Sequence, residues 1–173
     1  LVDLYRNFAT PLTHDILFQW QAWVMQGRAD VRDTGRYRTH TEPMQVVSGP
    51  THRPKIHFEA PPSSQVKPEM DRFVLWFNQT APDGMQSLPA LTRAGLAHHY
   101  FVCIHPFEDG NGRVARALAE KALSQSLGQA IWIALSQMIH SRQKIYYDSI
   151  EQHNKTNEVT AWLSYFARTV LDA

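Results

Sequence analysis

The chain has 173 residues, 43% hydrophobic and 19% charged, which is apolar material for one sizeable core and too little length for two substantial domains. Seventeen Lys and Arg against sixteen Asp and Glu give a formal charge of +1, which excludes a nucleic-acid partner held by bulk electrostatics. The single Cys103 excludes an internal disulfide framework and a cysteine-cluster zinc site, and no membrane-length apolar run or signal peptide is visible. The expectation is a cytoplasmic protein without a membrane partner.

Ile16, Leu17, Trp20, Trp23 and Val24 recur at helical spacing, which predicts a helix from a Thr13 cap to about Gly27. From Arg28 to Pro62 the periodicity vanishes and prolines and glycines accumulate. Two β-like pieces stand inside that stretch, Met44–Val47 and Lys55–Phe58, joined through Ser48-Gly49-Pro50; they predict a small hairpin over about 44–58. A long irregular connection of this kind tends to carry function.

Helical patterning then returns. Met70, Phe73, Val74 and Phe77 predict a helix from Pro68, placed in its first turn, to about Gln79. Leu91, Gly95, His98, Val102 and His105 predict a second over Leu88 to about Ile104, and Val114, Ala117, Leu118 and Ala122 a third over Gly112 to about Leu127. Shorter helices are expected over Leu135–His140 and Arg142–His153, and a last one from about Glu158. The fold class this implies is mainly α: a helical bundle interrupted once by a β-hairpin, over 1–173 as a single domain. Because the chain begins with Leu1, it is expected to be a fragment of a longer one.

Between the two central helices runs His105-Pro106-Phe107-Glu108-Asp109-Gly110-Asn111-Gly112-Arg113-Val114-Ala115-Arg116. Gly110 and Gly112 free the backbone around Asn111 just before a helix start, where successive N–H groups and the helix dipole favour an anion. Arg113 and Arg116, spaced i and i+3, can reach the same anion. Asp109 would be repelled by a bare phosphate, and Mg²⁺ between them resolves the conflict. His105 can accept a proton at physiological pH. Together these residues describe a polyphosphate–Mg²⁺ site with a general base.

The string resembles the Fic-domain signature His-Pro-Phe-x-Asp/Glu-Gly-Asn-Gly-Arg-x-x-Arg at every fixed position. That resemblance implies a Fic-type bundle with a hairpin flap upstream of the catalytic loop 105–116. It implies transfer of AMP from ATP to a Ser, Thr or Tyr hydroxyl of a target protein, with pyrophosphate released. His105 would deprotonate the hydroxyl, Asp109 would hold Mg²⁺ across the α- and β-phosphates, and Gly110, Asn111 and Gly112 would form the anion nest. Arg113 and Arg116 would steady the triphosphate. A weaker match over Arg142–Tyr147 and Asn154 would set Tyr147 and Asn154 beside the adenine. An extended target segment would pair with the flap, with Ile56 and His57 facing it. Hydrolysis of AMP from a modified protein, or an idle peptide-binding module, remain alternatives. Self-modification and homo-oligomers stay open.

His98 and His105 lie two turns apart, too far for shared metal ligation, so His98 reads as structural. Arg28, Arg32, Arg36 and Arg38, interleaved with Asp30 and Asp33, read as a solvated face or an acidic-target surface. Trp20, Trp23 and Trp162 are assigned to the core, and Cys103 to an inert buried position. Many Fic proteins carry an inhibitory Ser/Thr-x-x-x-Glu-Gly/Asn helix. No glutamate here has Ser or Thr four residues before it, so inhibition would come either from a separate partner or, the favoured expectation, from a helix upstream of Leu1.

Overall fold

The computed structural model describes residues 2–48, 55–141, 143–153 and 158–173. Two helices form the centre: α4 (Ala90–Ile104) and α5 (Asn111–Leu127) pack against each other along their length. Around them stand α1 (Val2–Arg6), α2 (His14–Val24), α3 (Ser63–Gln79), α6 (Leu135–Ser141), α7 (Gln143–His153) and α8 (Thr160–Leu171). The expected mainly-α bundle with one hairpin is what forms.

Local chemistry explains the boundaries. Thr13 caps α2, its side-chain oxygen accepting the Ile16 amide at 3.2 Å. The helix ends at Val24, three residues before the left-handed Gly27. α3 begins five residues before Pro68, because Val66, 1% exposed, already belongs to the core. Pro68 therefore sits inside the helix and not in its first turn. It withholds an amide from Ser64, which is exposed and can turn its carbonyl to water.

α4 meets α8 at Gly95. A Cβ there would lie 2.9 Å from Leu163 Cδ2 and 3.1 Å from a Phe166 ring carbon, so any larger residue would have to displace both side chains. Trp162 seals the contact by donating its indole N–H to the Gly95 carbonyl at 2.8 Å. Arg93, fully buried, fastens α3, α4 and α5 together through the carbonyls of Phe77 and Ala122. Trp20 and Trp162 are core residues as expected, whereas Trp23 is 45% exposed because it lies where α2 borders a cavity.

The hairpin consists of β1 (Gln45–Ser48) and β2 (Lys55–Glu59), antiparallel; the Gly49-Pro50 turn lies outside the described residues. Val46 pairs with Phe58 and Val47 with Ile56, so the register skips His57 and leaves it as a bulge. β2 packs on α7, which in turn packs on α8. The flap is thereby attached to the bundle on the side of the α4–α5 loop.

Candidate active site

The loop that joins α4 to α5 is held in place by side chains from α2 and from the irregular segment after it, and by its own buried groups. α4 ends when His105 turns into the left-handed region (φ 48°), the only non-glycine residue there among the described residues. Arg38 clamps this turn: its Nε donates to the His105 carbonyl at 2.8 Å and its Nη2 to the Pro61 carbonyl at 2.5 Å. Phe107, fully buried, anchors the next step against Tyr37 and Phe101.

Asn111 then closes the loop from inside. It accepts the Phe107 amide at 2.9 Å and donates to the Phe107 carbonyl at 2.8 Å, with 2% of its surface exposed. Its side chain is thus spent on shaping the loop, so an anion at Asn111 would meet only backbone groups. Gly110 caps α5 at φ 89°, and a Cβ there would press on Met25 and Val24 at 3.2 and 3.3 Å. Gln21, buried in α2, donates to the Asp109 carbonyl at 3.2 Å and accepts the Gly35 amide at 2.6 Å. Glu108 accepts the amides of Arg32 and Asp33 at 2.9 and 2.8 Å, pinning the irregular segment over the loop.

These contacts correct one expectation. The Arg28–Arg38 stretch is not simply a solvated face, since Arg38 and Asp33 are 2% and 6% exposed. Asp33 accepts the Thr39 amide and the Arg36 guanidinium, which hold its carboxyl below its ordinary range despite the burial that opposes this. Gln21, Arg38 and Glu108 were invisible to motif reading, because their partners are backbone groups far away in sequence.

Four of the expected site residues, His105, Gly112, Arg116 and Tyr147, line one cavity of about 400 Å³. Burial pushes the His105 imidazole down to about 4, with a backbone hydrogen bond and Asp109 opposing. Its Nδ1 lies 3.3 Å from the Val102 carbonyl. A carbonyl only accepts, so Nδ1 carries the proton and Nε2 keeps its lone pair. Arg116 is half-buried, and its buried Nε has no hydrogen-bond partner. A guanidinium desolvated in this way suits an anion. It also borders a second cavity of about 360 Å³, where Arg113 and Glu120 meet Trp20 and Trp23.

Asp109 lines neither cavity, and its side chain is 40% exposed. Its Oδ1 accepts the Gly110 amide at 2.5 Å; its Oδ2 faces Arg28 Nη1 at 3.3 Å and Arg113 Nη2 at 3.8 Å. Arg113 also donates to the Val24 carbonyl at 3.1 Å. A single carboxylate oxygen attracting cations beside an anion-seeking arginine fits Mg²⁺, which takes one or two carboxylates plus phosphate oxygens. The only group of three His, Asp or Glu close enough to share an ion among the described residues lies elsewhere, at His57, Asp148 and Glu151.

The flap residues divide. Ile56 is 51% exposed and pairs with Val47, 45% exposed, so the outward apolar pair includes a residue the sequence did not single out. His57 does not face outward: it is 6% exposed and packs on Tyr147. Asn154 lies outside the described residues. His98 is fully buried against Trp162 and Tyr146, consistent with a structural role. Burial pushes the Cys103 thiol up to about 12, which leaves it inert.

A model of the Fic/DOC family matches residues 11–123. Protein adenylyltransferase fic-1 of Caenorhabditis elegans is 32% identical over 100 residues, which are 58% of this chain and 17% of that protein. Protein adenylyltransferase Fic of Nematostella vectensis is 30% identical over 143 residues, 82% of this chain and 29% of its own length. The chain thus spans less than a third of these relatives. The crystal structure of a Fic family protein from Desulfovibrio desulfuricans G20 superposes with a TM-score of 0.80 at 23% identity. It covers 99% of this chain and 49% of its own. No described helix is long and apolar enough to cross a membrane.

Proposed function

The chain belongs to the Fic/DOC family, and on that premise we propose that it is a protein adenylyltransferase. It moves AMP from ATP to a Ser, Thr or Tyr hydroxyl of a target protein. The observation that carries this reading is the shared cavity. A neutral imidazole and a desolvated guanidinium with an unpartnered Nε face the same space of about 400 Å³.

In this reading His105 Nε2 takes the hydroxyl proton as the oxygen attacks the α-phosphorus, and the bond to the β-phosphate oxygen breaks to release pyrophosphate. The lowered imidazole pKa keeps the base deprotonated throughout the physiological range. The backbone at Gly110–Gly112 and the guanidinium groups of Arg113 and Arg116 receive the phosphates, and Tyr147 borders the adenine. Mg²⁺, when held by Asp109, reduces the charge on the phosphates. The target segment lies along the hairpin and meets Ile56 and Val47. The setting we propose is cytoplasmic, with a protein partner and neither nucleic acid nor membrane.

Incubation with α-labelled ATP, Mg²⁺ and a lysate, read by label and intact mass, tests this. His105→Ala should lower transfer by about 10²–10⁴ and leave ATP affinity close to wild type. Equal loss of ATP binding and transfer would remove His105 from the base role. No transferred label from the wild-type chain to any protein, itself included, would count against the adenylyltransferase reading.

A further inference from the structure

The bulge in β2 does something the flap alone does not require. Because Val47 pairs with Ile56 and Val46 with Phe58, the register skips over His57. Bulges re-aim a side chain, and they are common beside active sites. Here the re-aimed imidazole lies on the ring of Tyr147, centroids 5.2 Å apart and planes 18° from parallel. Its Nδ1 is 3.0 Å from Glu151 Oε2, one helical turn beyond Tyr147. The side chain is 3% exposed, far below the usual exposure of a hairpin residue in a two-stranded ribbon.

The surrounding charges hold the arrangement. Lys55 Nζ lies 3.0 Å from Glu151 Oε2 and 3.5 Å from Asp148 Oδ1. An ammonium group already stands between the two carboxylates and offsets one of their two negative charges, so the cluster holds its own cation. Every contact in it joins β2 to α7, and α7 also carries Tyr146, Tyr147 and Ile150 into the wall of the cavity.

We propose that His57 is a positioning residue that couples the flap to the nucleotide cavity: it orients Tyr147 from the β2 side, so that flap order and nucleotide affinity rise together. The proposal rests on the assignment of that cavity to ATP. Coupling of this kind is reciprocal, so a nucleotide that orders Tyr147 also steadies the flap. An aromatic stack contributes enough to change affinity by about three- to tenfold.

The test uses ADP as the probe on the full chain, with calorimetric affinity and amide hydrogen exchange over 45–48 and 55–59. In wild type, ADP should slow exchange in β2. His57→Ala should weaken ADP about three- to tenfold and abolish that slowing. His57→Phe keeps an aromatic ring over Tyr147 without the Glu151 bond. It should retain ADP affinity within about twofold while the flap exchanges faster before ADP is added, and a thermal melt shows whether each variant is folded. ADP bound equally by wild type and both variants, with the same flap response, would overturn the coupling alone. ADP that fails to bind the wild type would overturn the cavity assignment together with it.

Discussion

The α4–α5 loop lines the cavity and the flap reaches it through Tyr147 of α7, yet the two are held by different physics. The loop is fixed from inside by buried side-chain-to-backbone bonds from Asn111, Gln21 and Arg38, with Phe107 as its apolar anchor. The flap is fixed from one side, by the His57 stack and by an ion pair whose lysine side chain is 56% exposed. A buried polar group with its partner removed costs its full desolvation, whereas an exposed ion pair is screened and contributes little. In the proposed reaction, the difference would place rigidity where proton and phosphate geometry must be exact to a fraction of an ångström, and compliance where an extended segment would be admitted.

The sharpest way to break this contrast is to remove one partner from each region. Asn111→Ala strands the Phe107 N–H and C=O in a dry interior, at roughly 1–3 kcal/mol for each group. It should lower the melting temperature by on the order of 10 °C and transfer by at least about 10². Lys55→Met, which opens the solvent-screened pairs to Glu151 and Asp148, should shift the melting temperature far less. Thermal melts of the two variants side by side provide the measurement. Equal destabilisation would show that the flap is as rigidly built as the loop.

How much of this was legible in the sequence follows the same division. The loop 105–116 could be read as a candidate site because its chemistry-bearing residues are adjacent, and contiguous chemistry leaves a motif. The helices could be read because a 3.6-residue period survives over ten or more positions; α1, with five residues, is too short to show one. Arg38 and Gln21 were hidden because a side chain bonded to a backbone carbonyl 67 or 88 residues away leaves no pattern. His57 was assigned to the target because strand alternation cannot reveal a bulge, and one skipped residue changes which way a side chain points. The arginine-rich segment appeared solvated because charge count does not report burial.

A pH series separates the loop side of the molecule from the flap side at smaller amplitude. Burial pushes His98 down to about 3 and His105 to about 4, both from an ordinary 6.5. The unfolded chain therefore binds protons that the folded chain refuses. Stability from these two groups is present above about pH 6.5 and is lost as pH falls toward 4. Each such group contributes up to about 1.4 kcal/mol per pH unit in that window. Neither ring nitrogen of His98 has a hydrogen-bond partner, and its neighbours are aromatic. His98→Phe should then raise the melting temperature, and more at pH 5 than at pH 7.5. Parallel melting curves for variant and wild type across that range would mean that His98 is not the proton acceptor.

The smallest expected effect lies at the exposed rim of the otherwise rigid loop. Asp109 Oδ2 faces Arg28 at 3.3 Å, while Arg28 is held in a fork by both oxygens of Asp30 at 2.8 and 2.7 Å. A Mg²⁺ ion on Asp109 must compete with that guanidinium, and Asp30 offers it an alternative partner. Arg28 and Asp109 are 46% and 40% exposed, so solvent screens the pair and the competition is weak. Arg28→Gln should tighten the cation about two- to fivefold, measured as Mn²⁺ bound in the presence of ADP by electron paramagnetic resonance. Asp30→Asn should weaken it, because Arg28 then has only Asp109 to pair with. Both shifts should shrink as ionic strength rises, since salt screens exposed pairs. If Arg28→Gln instead weakens Mn²⁺ and ADP together, Arg28 is a phosphate ligand acting beside Arg113 and Arg116, and the rim cooperates with the nucleotide where a competitor was expected.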